Sequence, residues 1–211
     1  MKEPRGLYAI TPDGLRGREL LDRTEAALRG GARLLQYRDK SADQNRRLAD
    51  ARALRELCMD HDTLLIINDD VELCRASGAQ GVHLGEDDTA LEEARAHLGA
   101  DIIIGISCYN DLARAHRAAA AGADYLAFGA VFPSSTKPGA RKAGLELLRR
   151  ARGELSLPLV AIGGITPENA PSVIETGVDM VAMIQGLFAQ ADIAEAARAI
   201  AQQFQAFRGS P

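Results

Sequence analysis

Eight short apolar runs, amphipathic stretches between them and a fourfold internal repeat predict a single (β/α)8 barrel, a closed sheet of parallel strands. The runs contain no charged residue, which is typical of parallel strands that are buried on both faces. We expect strands at residues 7–10, 34–37, 64–67, 81–84, 102–106, 125–128, 159–162 and 180–184. An open, doubly wound sheet is the alternative, but that fold would not require eight even units.

Amphipathic helical stretches separate the runs, for example at residues 19–29, 44–59, 111–121 and 191–207. The repeat consists of the segments GGARLLQYR, SGAQGVHLG, AGADYLAFG and TGVDMVAMI, which begin at Gly30, Ser77, Ala121 and Thr176. Each segment places a glycine where a helix should end, and glycine can adopt the left-handed conformation that closes a helix. The segments precede the second, fourth, sixth and eighth strands, so the repeating unit is a quarter of the barrel.

The length of 211 residues fits one domain over the whole chain, with a short frayed tail near residues 209–211. The net charge of −4 gives no basic patch for nucleic acid. Three well-separated cysteines, Cys58, Cys74 and Cys108, form neither a zinc motif nor a disulfide framework. The stretch MKEPRGLYAI lacks the long apolar run that is typical of a signal peptide, and no segment approaches the length of an apolar membrane span. We therefore expect a cytoplasmic protein with small-molecule substrates, and homo-oligomerisation stays open.

Polar residues at the ends of the predicted strands carry the functional argument, because barrels of this type bind substrates in the loops that follow the strands. The second strand runs into QYRDK, in which Gln36, Arg38 and Lys40 alternate and therefore point to the same side of an extended chain. Two cations and an amide on one side suit a multiply charged anion. The alternative is a charged turn that leads into a helix.

Acidic residues follow the next two strands. The motif NDD at residues 68–70 comes directly after the third strand, and GEDD at residues 85–88 comes after the fourth. Two acidic clusters opposite the cations indicate a hard metal ion, and Mg²⁺ typically binds one or two carboxylates together with substrate phosphates. Helix capping by Asp and Asn is the alternative. Ser107 follows the fifth strand, and His83 in the fourth is expected to be a packed, hydrogen-bonded side chain.

The connection after the sixth strand, FGAVFPSSTKPG at residues 128–139, contains the polar side chains of Ser134, Ser135, Thr136 and Lys137. Hydroxyls, backbone N–H groups and a lysine suit phosphate oxygens, whereas the alternative is a solvated loop. After the seventh strand, AIGGIT opens into a helix that we expect Thr166 to cap, with Pro167 at its first position. The sequence therefore predicts two bound phosphorylated groups, a metal-bound diphosphate and a second phosphate held after strands six to eight.

Taken together, QYRDK, INDD, GVHLGEDD, GISCYN, FGAVFPSSTKPG and AIGGIT resemble the thiamine-phosphate synthase family over nearly the whole chain, in order and with compatible spacing. The resemblance implies a transferase of thiamine biosynthesis that requires Mg²⁺. Such an enzyme joins 4-amino-2-methyl-5-(diphosphooxymethyl)pyrimidine to a thiazole or carboxythiazole phosphate and releases pyrophosphate as thiamine phosphate forms. The diphosphate would leave first, and the thiazole nitrogen would then capture the pyrimidine cation.

The resemblance also implies roles for individual residues. The pyrimidine diphosphate would be held by Gln36, Tyr37, Arg38, Asp39, Lys40, Asn68, Ser107 and Lys137, and the thiazole phosphate by Ser134, Ser135, Thr136, Gly164, Ile184 and Gln185. Asp69 and Asp88 would bind Mg²⁺, and the catalytic residues would be Arg38, Lys40, Ser107 and Lys137. The chain departs from the usual pattern of the family at Glu86, Tyr109, Ser134 and Gln185.

Two rival functions remain. A thiazole tautomerase of the same superfamily would bind the same thiazole phosphate, but it would need neither the magnesium carboxylates nor the diphosphate-binding cations. Such relatives use a histidine where this chain has Tyr109. A non-catalytic phosphate-binding barrel is the more distant alternative. Release of pyrophosphate only when both substrates are present would distinguish the synthase from both rivals.

Overall fold

The computed structural model of the protein describes residues 5–133 and 142–208, and the predicted fold is confirmed. Eight parallel strands form a closed barrel in chain order, and the last strand pairs with the first. The strands are β1 (Gly6–Ile10), β2 (Leu34–Tyr37), β3 (Leu64–Asn68), β4 (Gly81–Leu84), β5 (Ile103–Tyr109), β6 (Tyr125–Phe128), β7 (Leu159–Ile162) and β8 (Met180–Met183). Of these strands, β5 departs most from its predicted bounds, because it continues through Ser107 to Tyr109.

Helices cover the outside of the barrel. They are α1 (Gly17–Arg29), α2 (Gln44–Asp60), α3 (Val71–Ser77), α4 (Leu91–Leu98), α5 (Leu112–Ala120), α6 (Leu145–Glu154), α7 (Ala170–Ile174), α8 (Gln185–Phe188) and α9 (Ile193–Arg208). The predicted start of the helix after β7 is wrong, since α7 begins at Ala170 and not at Pro167. A turn intervenes, in which the Asn169 side chain accepts a hydrogen bond from the Thr166 N–H at 2.9 Å.

Side chains alternate between two hydrophobic layers along each strand. In β1, Leu7 and Ala9 belong to the large layer between strands and helices, whereas Tyr8 and Ile10 belong to the smaller layer inside the barrel. The inner layer also contains Leu34, Ile66, Tyr125, Ala127, Val160, Met180 and Ala182. Because these side chains fill the interior, a binding site has room only at an end of the barrel.

The fourfold repeat has a structural counterpart at the amino-terminal end of the barrel. Its second position is a glycine with positive φ in all four copies, with values of 101°, 70°, 92° and 88° at Gly31, Gly78, Gly122 and Gly177. The predicted left-handed helix closure is thereby confirmed. Two residues later, Asp124 and Asp179 each accept a hydrogen bond from a backbone N–H of the preceding strand. In these two copies the repeat therefore joins β6 to β5 and β8 to β7.

The three cysteines are buried free thiols. Burial raises the pKa of Cys58 to about 12, and the Cys74 and Cys108 values are raised to about 12 as well, again chiefly by burial. They therefore pack as protonated, apolar side chains. Within the described ranges, none of the helices combines the length and the apolar character needed to cross a lipid bilayer.

Candidate active site

A cavity of about 860 Å³ opens at the carboxyl-terminal ends of the strands. Its volume lies in the range of small-molecule sites, which is roughly 300–1,000 Å³. Ten residues proposed for the site from the sequence line it: Gln36, Arg38, Lys40, Asn68, Asp69, Asp88, Ser107, Gly164, Ile184 and Gln185. Ser134, Ser135, Thr136 and Lys137 lie outside the described residues. Residues spread over the whole chain therefore meet in one concave site.

The end of β2 supplies the cations of the cavity. Gln36, Arg38 and Lys40 all line it, as their alternation predicts. The backbone N–H of Arg38 donates to the Thr11 hydroxyl at 2.9 Å, and the guanidinium pairs with Asp13. The Arg38 side chain is only 12% exposed, so its charge is partly desolvated and held in place.

Two residues of the same motif face the other way. The Tyr37 hydroxyl lies 3.3 Å from Asp39 Oδ2 and 3.4 Å from Asp50 Oδ2. Arg46 Nη1 lies 2.7 Å from Asp39 Oδ2 and 3.0 Å from Asp50 Oδ2. Neither side chain lines this cavity: both contact residues of α2 and so anchor the loop that carries Arg38 and Lys40. A contact of Tyr37 and Asp39 with substrate stays a prediction.

This anchor changes the titration of Asp39. Burial favours the neutral carboxyl, but hydrogen bonds from Arg46 and from the Ser41 N–H outweigh it and lower the Asp39 pKa to about 2. Asp39 is therefore a fixed negative charge at neutral pH. Its charge is balanced by Arg46, whereas Arg38 and Lys40 have other partners, Asp13 and Asp69.

Asp69 and Asp88 come together at the rim. Lys40 Nζ lies 3.0 Å from Asp69 Oδ2, and the Asp88 carboxylate accepts a hydrogen bond from the Gly85 N–H at 2.6 Å. Burial opposes ionisation of Asp69, but hydrogen bonds from Lys40 and Asp88 outweigh it and lower the Asp69 pKa. Burial and the interaction with Asp69 raise the pKa of Asp88. The ionisation of each carboxyl group therefore depends on the other.

This carboxyl pair fits Mg²⁺. Among residues 5–133 and 142–208 there is no group of three or more His, Cys, Asp or Glu side chains that could enclose a metal ion. Mg²⁺ does not need such a group, because it commonly binds through one or two carboxylates and keeps its remaining positions for water and phosphate oxygens. The carboxyl groups of Asp69 and Asp88, which line the same cavity, offer the hard oxygen ligands that such an open site requires.

A continuous hydrogen-bonded chain crosses the floor of the cavity. Gln36 Nε2 donates to the Tyr8 hydroxyl, which contacts the Tyr125 hydroxyl. The Tyr125 hydroxyl contacts His83 Nδ1, and His83 Nε2 contacts the Ser107 hydroxyl. Each of the four contacts measures 2.9 Å. The expectation that His83 is packed and hydrogen-bonded is confirmed, and its side chain also lines the cavity.

The ends of β4 and β5 are braced by two side chains. A register shift between Ser107 and Tyr109 and a positive φ of 54° at Tyr109 turn this residue toward β4. The Tyr109 hydroxyl accepts a hydrogen bond from the Glu86 N–H at 3.1 Å. Arg114 donates from Nε to the Ser107 carbonyl at 2.7 Å and from Nη2 to the Gly85 carbonyl at 3.2 Å. The loop that carries Asp88 is therefore held against Ser107.

The far side of the cavity is formed by backbone after β7. Gly163 and Gly164 have φ values of 106° and 62°. A Cβ atom on Gly164 would lie 2.4 Å from the Pro133 carbonyl oxygen, so this position admits no side chain. Asn169 Nδ2 donates to the Gly164 carbonyl at 3.0 Å and fixes the turn. This side of the cavity presents backbone at close range, as the two glycines of the motif suggest.

A family model described as thiamine monophosphate synthase matches residues 7–187. The chain belongs to this family. It is 58% identical over 202 residues to the thiamine-phosphate synthase of Thioalkalivibrio sulfidiphilus, an alignment that covers 95% of this chain and 96% of that protein. It is 56% identical over 200 residues to the thiamine-phosphate synthase of an Azoarcus species, with 95% and 97% coverage. The solved thiamine phosphate pyrophosphorylase of Pyrococcus furiosus is 35% identical, with a TM-score of 0.87 and 98% coverage of both chains.

Membership of the thiamine monophosphate synthase family confirms the resemblance found in the motifs and the expected class of transferase. The motifs did not single out the residues that brace this site, which are Tyr8, Arg46, Arg114 and Tyr125. Tyr8 and Tyr125 stand in strands that read as apolar, although a buried tyrosine hydroxyl usually needs a partner. That requirement is the signal in the sequence that could have identified them.

Proposed function

We propose that the protein is a thiamine-phosphate synthase that joins 4-amino-2-methyl-5-(diphosphooxymethyl)pyrimidine to a thiazole or carboxythiazole phosphate and releases pyrophosphate. The observation that carries the proposal is the rim of the cavity, where Arg38 and Lys40 lie beside the paired carboxyl groups of Asp69 and Asp88. Cations next to a site for a hard metal ion are the arrangement that a diphosphate leaving group requires. The buried thiols agree with the cytoplasmic location that belongs to the same proposal.

Arg38 and Lys40 bind and orient the diphosphate. When the C–O bond of the pyrimidine substrate breaks, the bonding electrons leave with the diphosphate and its bridging oxygen gains negative charge. A cation held near that oxygen interacts more strongly with the transition state than with the substrate, and it therefore raises kcat. Lys137, outside the described residues, is proposed to add a third cation. Asp69 and Asp88 hold Mg²⁺, which when bound neutralises charge on the diphosphate oxygens.

The remaining proposed contacts orient the two rings. Gln36, Asn68 and Ser107 bind the pyrimidine substrate at the floor and near wall of the cavity. Gly164, Ile184 and Gln185, together with Ser134, Ser135 and Thr136 of the segment outside the described residues, bind the thiazole phosphate. The thiazole nitrogen attacks the pyrimidine methylene with a free lone pair, so the step needs no general base on the nucleophile.

A two-substrate turnover assay with and without Mg²⁺ tests the proposal. We expect pyrophosphate and thiamine phosphate to appear in equal amounts, only when both substrates and Mg²⁺ are present. Isomerisation of a thiazole phosphate alone would instead identify a tautomerase. Binding of both phosphates without turnover would identify a phosphate-binding barrel.

Two variants test whether the pockets are separate. Arg38→Ala should raise chiefly the KM for the pyrimidine diphosphate, and Thr136→Ala chiefly the KM for the thiazole phosphate. Each removes a hydrogen bond to a charged group, and a loss of about 1.5–3 kcal/mol corresponds to roughly tenfold or more. Equal effects of each variant on both substrates would contradict the two-pocket assignment.

A further inference from the structure

We propose that Tyr8 and Tyr125 are positioning residues that relay the orientation of the Gln36 amide across the barrel floor to His83, and thereby fix which hydrogen-bonding groups Gln36 and Ser107 offer to the substrate ring. The relay itself is a property of the free protein. Its consequence for the pyrimidine ring rests on the function proposed above.

The rings of the relay are held firmly. Tyr8 and Tyr125 are each 1% exposed, and their rings meet edge to face with centroids 6.0 Å apart. The His83 ring stacks on Tyr125 with an interplanar angle of 20°. Below the Tyr125 ring lies Gly105, where a Cβ atom would approach the ring to 1.9 Å. The two rings therefore have one arrangement available, and their hydroxyl oxygens keep the same partners.

Proton counting gives the relay a direction. Each tyrosine hydroxyl has one hydrogen to donate, so a chain of such groups must run from one end to the other. Gln36 Nε2 is the donor to Tyr8. Tyr8 then donates to Tyr125, and Tyr125 donates to His83 Nδ1. In the neutral form of the imidazole, the hydrogen consequently lies on Nε2, from which it is donated to the Ser107 hydroxyl oxygen.

Burial supports a neutral relay. It raises the pKa of Tyr8 and of Tyr125 well above the usual value for tyrosine, in each case as the largest influence. Both hydroxyls therefore keep their hydrogen at neutral pH. A reversal of the direction would require the Gln36 amide to turn, so that its oxygen accepts from Tyr8.

The direction decides what the two ends present to a ligand. With Nε2 directed at Tyr8, Gln36 retains its amide oxygen as an acceptor. With its oxygen accepting from His83, Ser107 retains its hydroxyl hydrogen as a donor. An aminopyrimidine carries an amino donor and ring-nitrogen acceptors, so an acceptor and a donor on opposite sides of the floor complement it. The reversed relay would exchange the two groups and leave a donor at Gln36 and an acceptor at Ser107, so the direction of the relay selects how the ring is oriented.

The test measures the His83 tautomer in the ligand-free protein by nitrogen-15 NMR. Histidine labelled with nitrogen-15 is incorporated, and the His83 signals are assigned by their loss in His83→Gln. In the unsubstituted protein we expect the hydrogen on Nε2. Gln36→Glu, at about pH 8 where a carboxyl group is normally ionised, replaces the donor by an acceptor and should move the hydrogen to Nδ1. Adding Tyr8→Phe to Gln36→Glu should abolish that shift, because the relay is then broken.

Tyr125→Phe supplies an independent measurement. It removes the hydroxyl next to His83 and should produce a mixture of both tautomers, whereas Tyr37→Phe, which removes a buried hydroxyl outside the relay, should leave the His83 spectrum unchanged. An unchanged His83 tautomer in both Gln36→Glu and Tyr125→Phe would overturn the proposal. A Gln36→Glu shift that persists with Tyr8→Phe would also overturn it.

Turnover adds a readout that a merely structural role would not produce. Tyr125→Phe should raise the KM for the pyrimidine diphosphate about tenfold, as expected for one mispaired hydrogen-bonding group, and leave the KM for the thiazole phosphate and the binding of pyrophosphate unchanged. A uniform change in all three would overturn the positioning role. Because the tautomer measurement uses no substrate, failure of the relay and failure of the proposed function give different results.

Discussion

The two ends of the barrel use the same residue types for opposite purposes. At the amino-terminal end, Asp179 accepts a hydrogen bond from the Leu159 N–H at 2.9 Å and pairs with Arg152 at 2.9 Å. Asp124 does the same with the Ile104 N–H at 2.7 Å and with Arg95 at 2.6 Å. Both of these ion pairs therefore include a backbone partner from a neighbouring strand.

At the carboxyl-terminal end, Lys40 pairs with Asp69, and the interaction with Asp69 helps to raise the pKa of Asp88. Asp69 also has a positive φ of 65°, a conformation that is uncommon for a residue other than glycine. Partners on the main chain are permanent, whereas partners in a cavity can be exchanged for a ligand. The difference between the two ends is therefore one of exchange: Asp124 and Asp179 are tied to main-chain N–H groups, whereas Asp69 is paired with the Lys40 side chain, which a ligand could replace.

Among these variants, Asp88→Asn should have the largest effect on turnover and little effect on the stability of the fold. It removes a proposed Mg²⁺ ligand, so kcat should fall about 100-fold or more. The free energy of unfolding without Mg²⁺ should stay level or rise, since two facing carboxyl groups no longer compete. Steady-state kinetics and urea denaturation measure the two quantities. Asp101→Asn, an exposed carboxylate before β5, is the matched control and should change neither.

Asp179→Ala should show the reverse. It leaves the Leu159 N–H and the Arg152 guanidinium without their partner, which should lower the free energy of unfolding by about 2–3 kcal/mol. Both KM values and kcat should stay near those of the unsubstituted protein at a temperature where the variant is folded. Glu146→Ala, on an 83% exposed side chain of α6, should cost less than about 0.5 kcal/mol. A large loss of kcat in Asp179→Ala would show that the two ends are coupled.

The ion pair of Asp39 with Arg46 lies at the carboxyl-terminal end but resembles the pairs at the other end, because Asp39 also accepts a hydrogen bond from a backbone N–H, that of Ser41. In the folded protein the pKa of Asp39 is about 2, below the usual value for an aspartate. The ion pair with Arg46 therefore stabilises the fold fully at any pH above that usual pKa, and the stabilisation is lost as the pH falls through about 2. A displacement of this size corresponds to about 2 kcal/mol. Urea denaturation between neutral pH and acid should therefore show a shallower acid decline in Asp39→Asn. Asp60→Asn, exposed at the end of α2, should retain the decline of the unsubstituted protein.

Glycine-to-alanine substitutions give the smallest effects at one end and a larger one at the other. Gly153 lies in the exposed part of α6 with nothing near its Cβ position, so Gly153→Ala should raise the free energy of unfolding by about 0.5–1 kcal/mol. Gly164→Ala should instead lower it and raise the KM for the thiazole phosphate, because of its positive φ and the 2.4 Å contact with the Pro133 carbonyl. Thermal unfolding measures the stability of both variants, and steady-state kinetics measures their KM for the thiazole phosphate. Equal changes in stability and in KM for the two variants would contradict the prediction.

The sequence predicted the barrel well because parallel strands are buried on both faces and therefore read as uninterrupted apolar runs. The predicted length of β5 was too short because the strand continues through Ser107 to Tyr109 at the rim of the cavity. These residues are polar, so the apolar run that marks the strand ends before the strand does. The start of α7 was misjudged because Thr166 and Pro167 form a good helix-start signal, but the Asn169 side chain closes a turn there instead. Local signals of similar strength compete at such a boundary, and tertiary contacts decide between them.

The site was predicted in its parts more than in its organisation. Alternation along β2 was sufficient to place Gln36, Arg38 and Lys40 on one face. The same alternation implies that Tyr37 and Asp39 point away from that face. The resemblance to the family assigned all five consecutive residues, Gln36 to Lys40, to the same substrate and so did not reveal this difference. The relay through Tyr8 and Tyr125 joins residues 117 positions apart. Such a contact depends on strand register across a closed barrel, which a single sequence does not specify.

The close approach of Gly105 to the Tyr125 ring also limits how related chains can diverge. A methyl group at position 105 and a six-membered ring at position 125 exclude each other, so these two positions must change together or not at all. A relative with a larger residue at position 105 should carry a smaller one at position 125, and its barrel would then lack the hydroxyl that meets His83. Neither position 105 nor position 125 lines the cavity. Co-variation of these two positions among related sequences would therefore indicate which relatives have the hydrogen-bonded chain at the floor of the cavity and which do not.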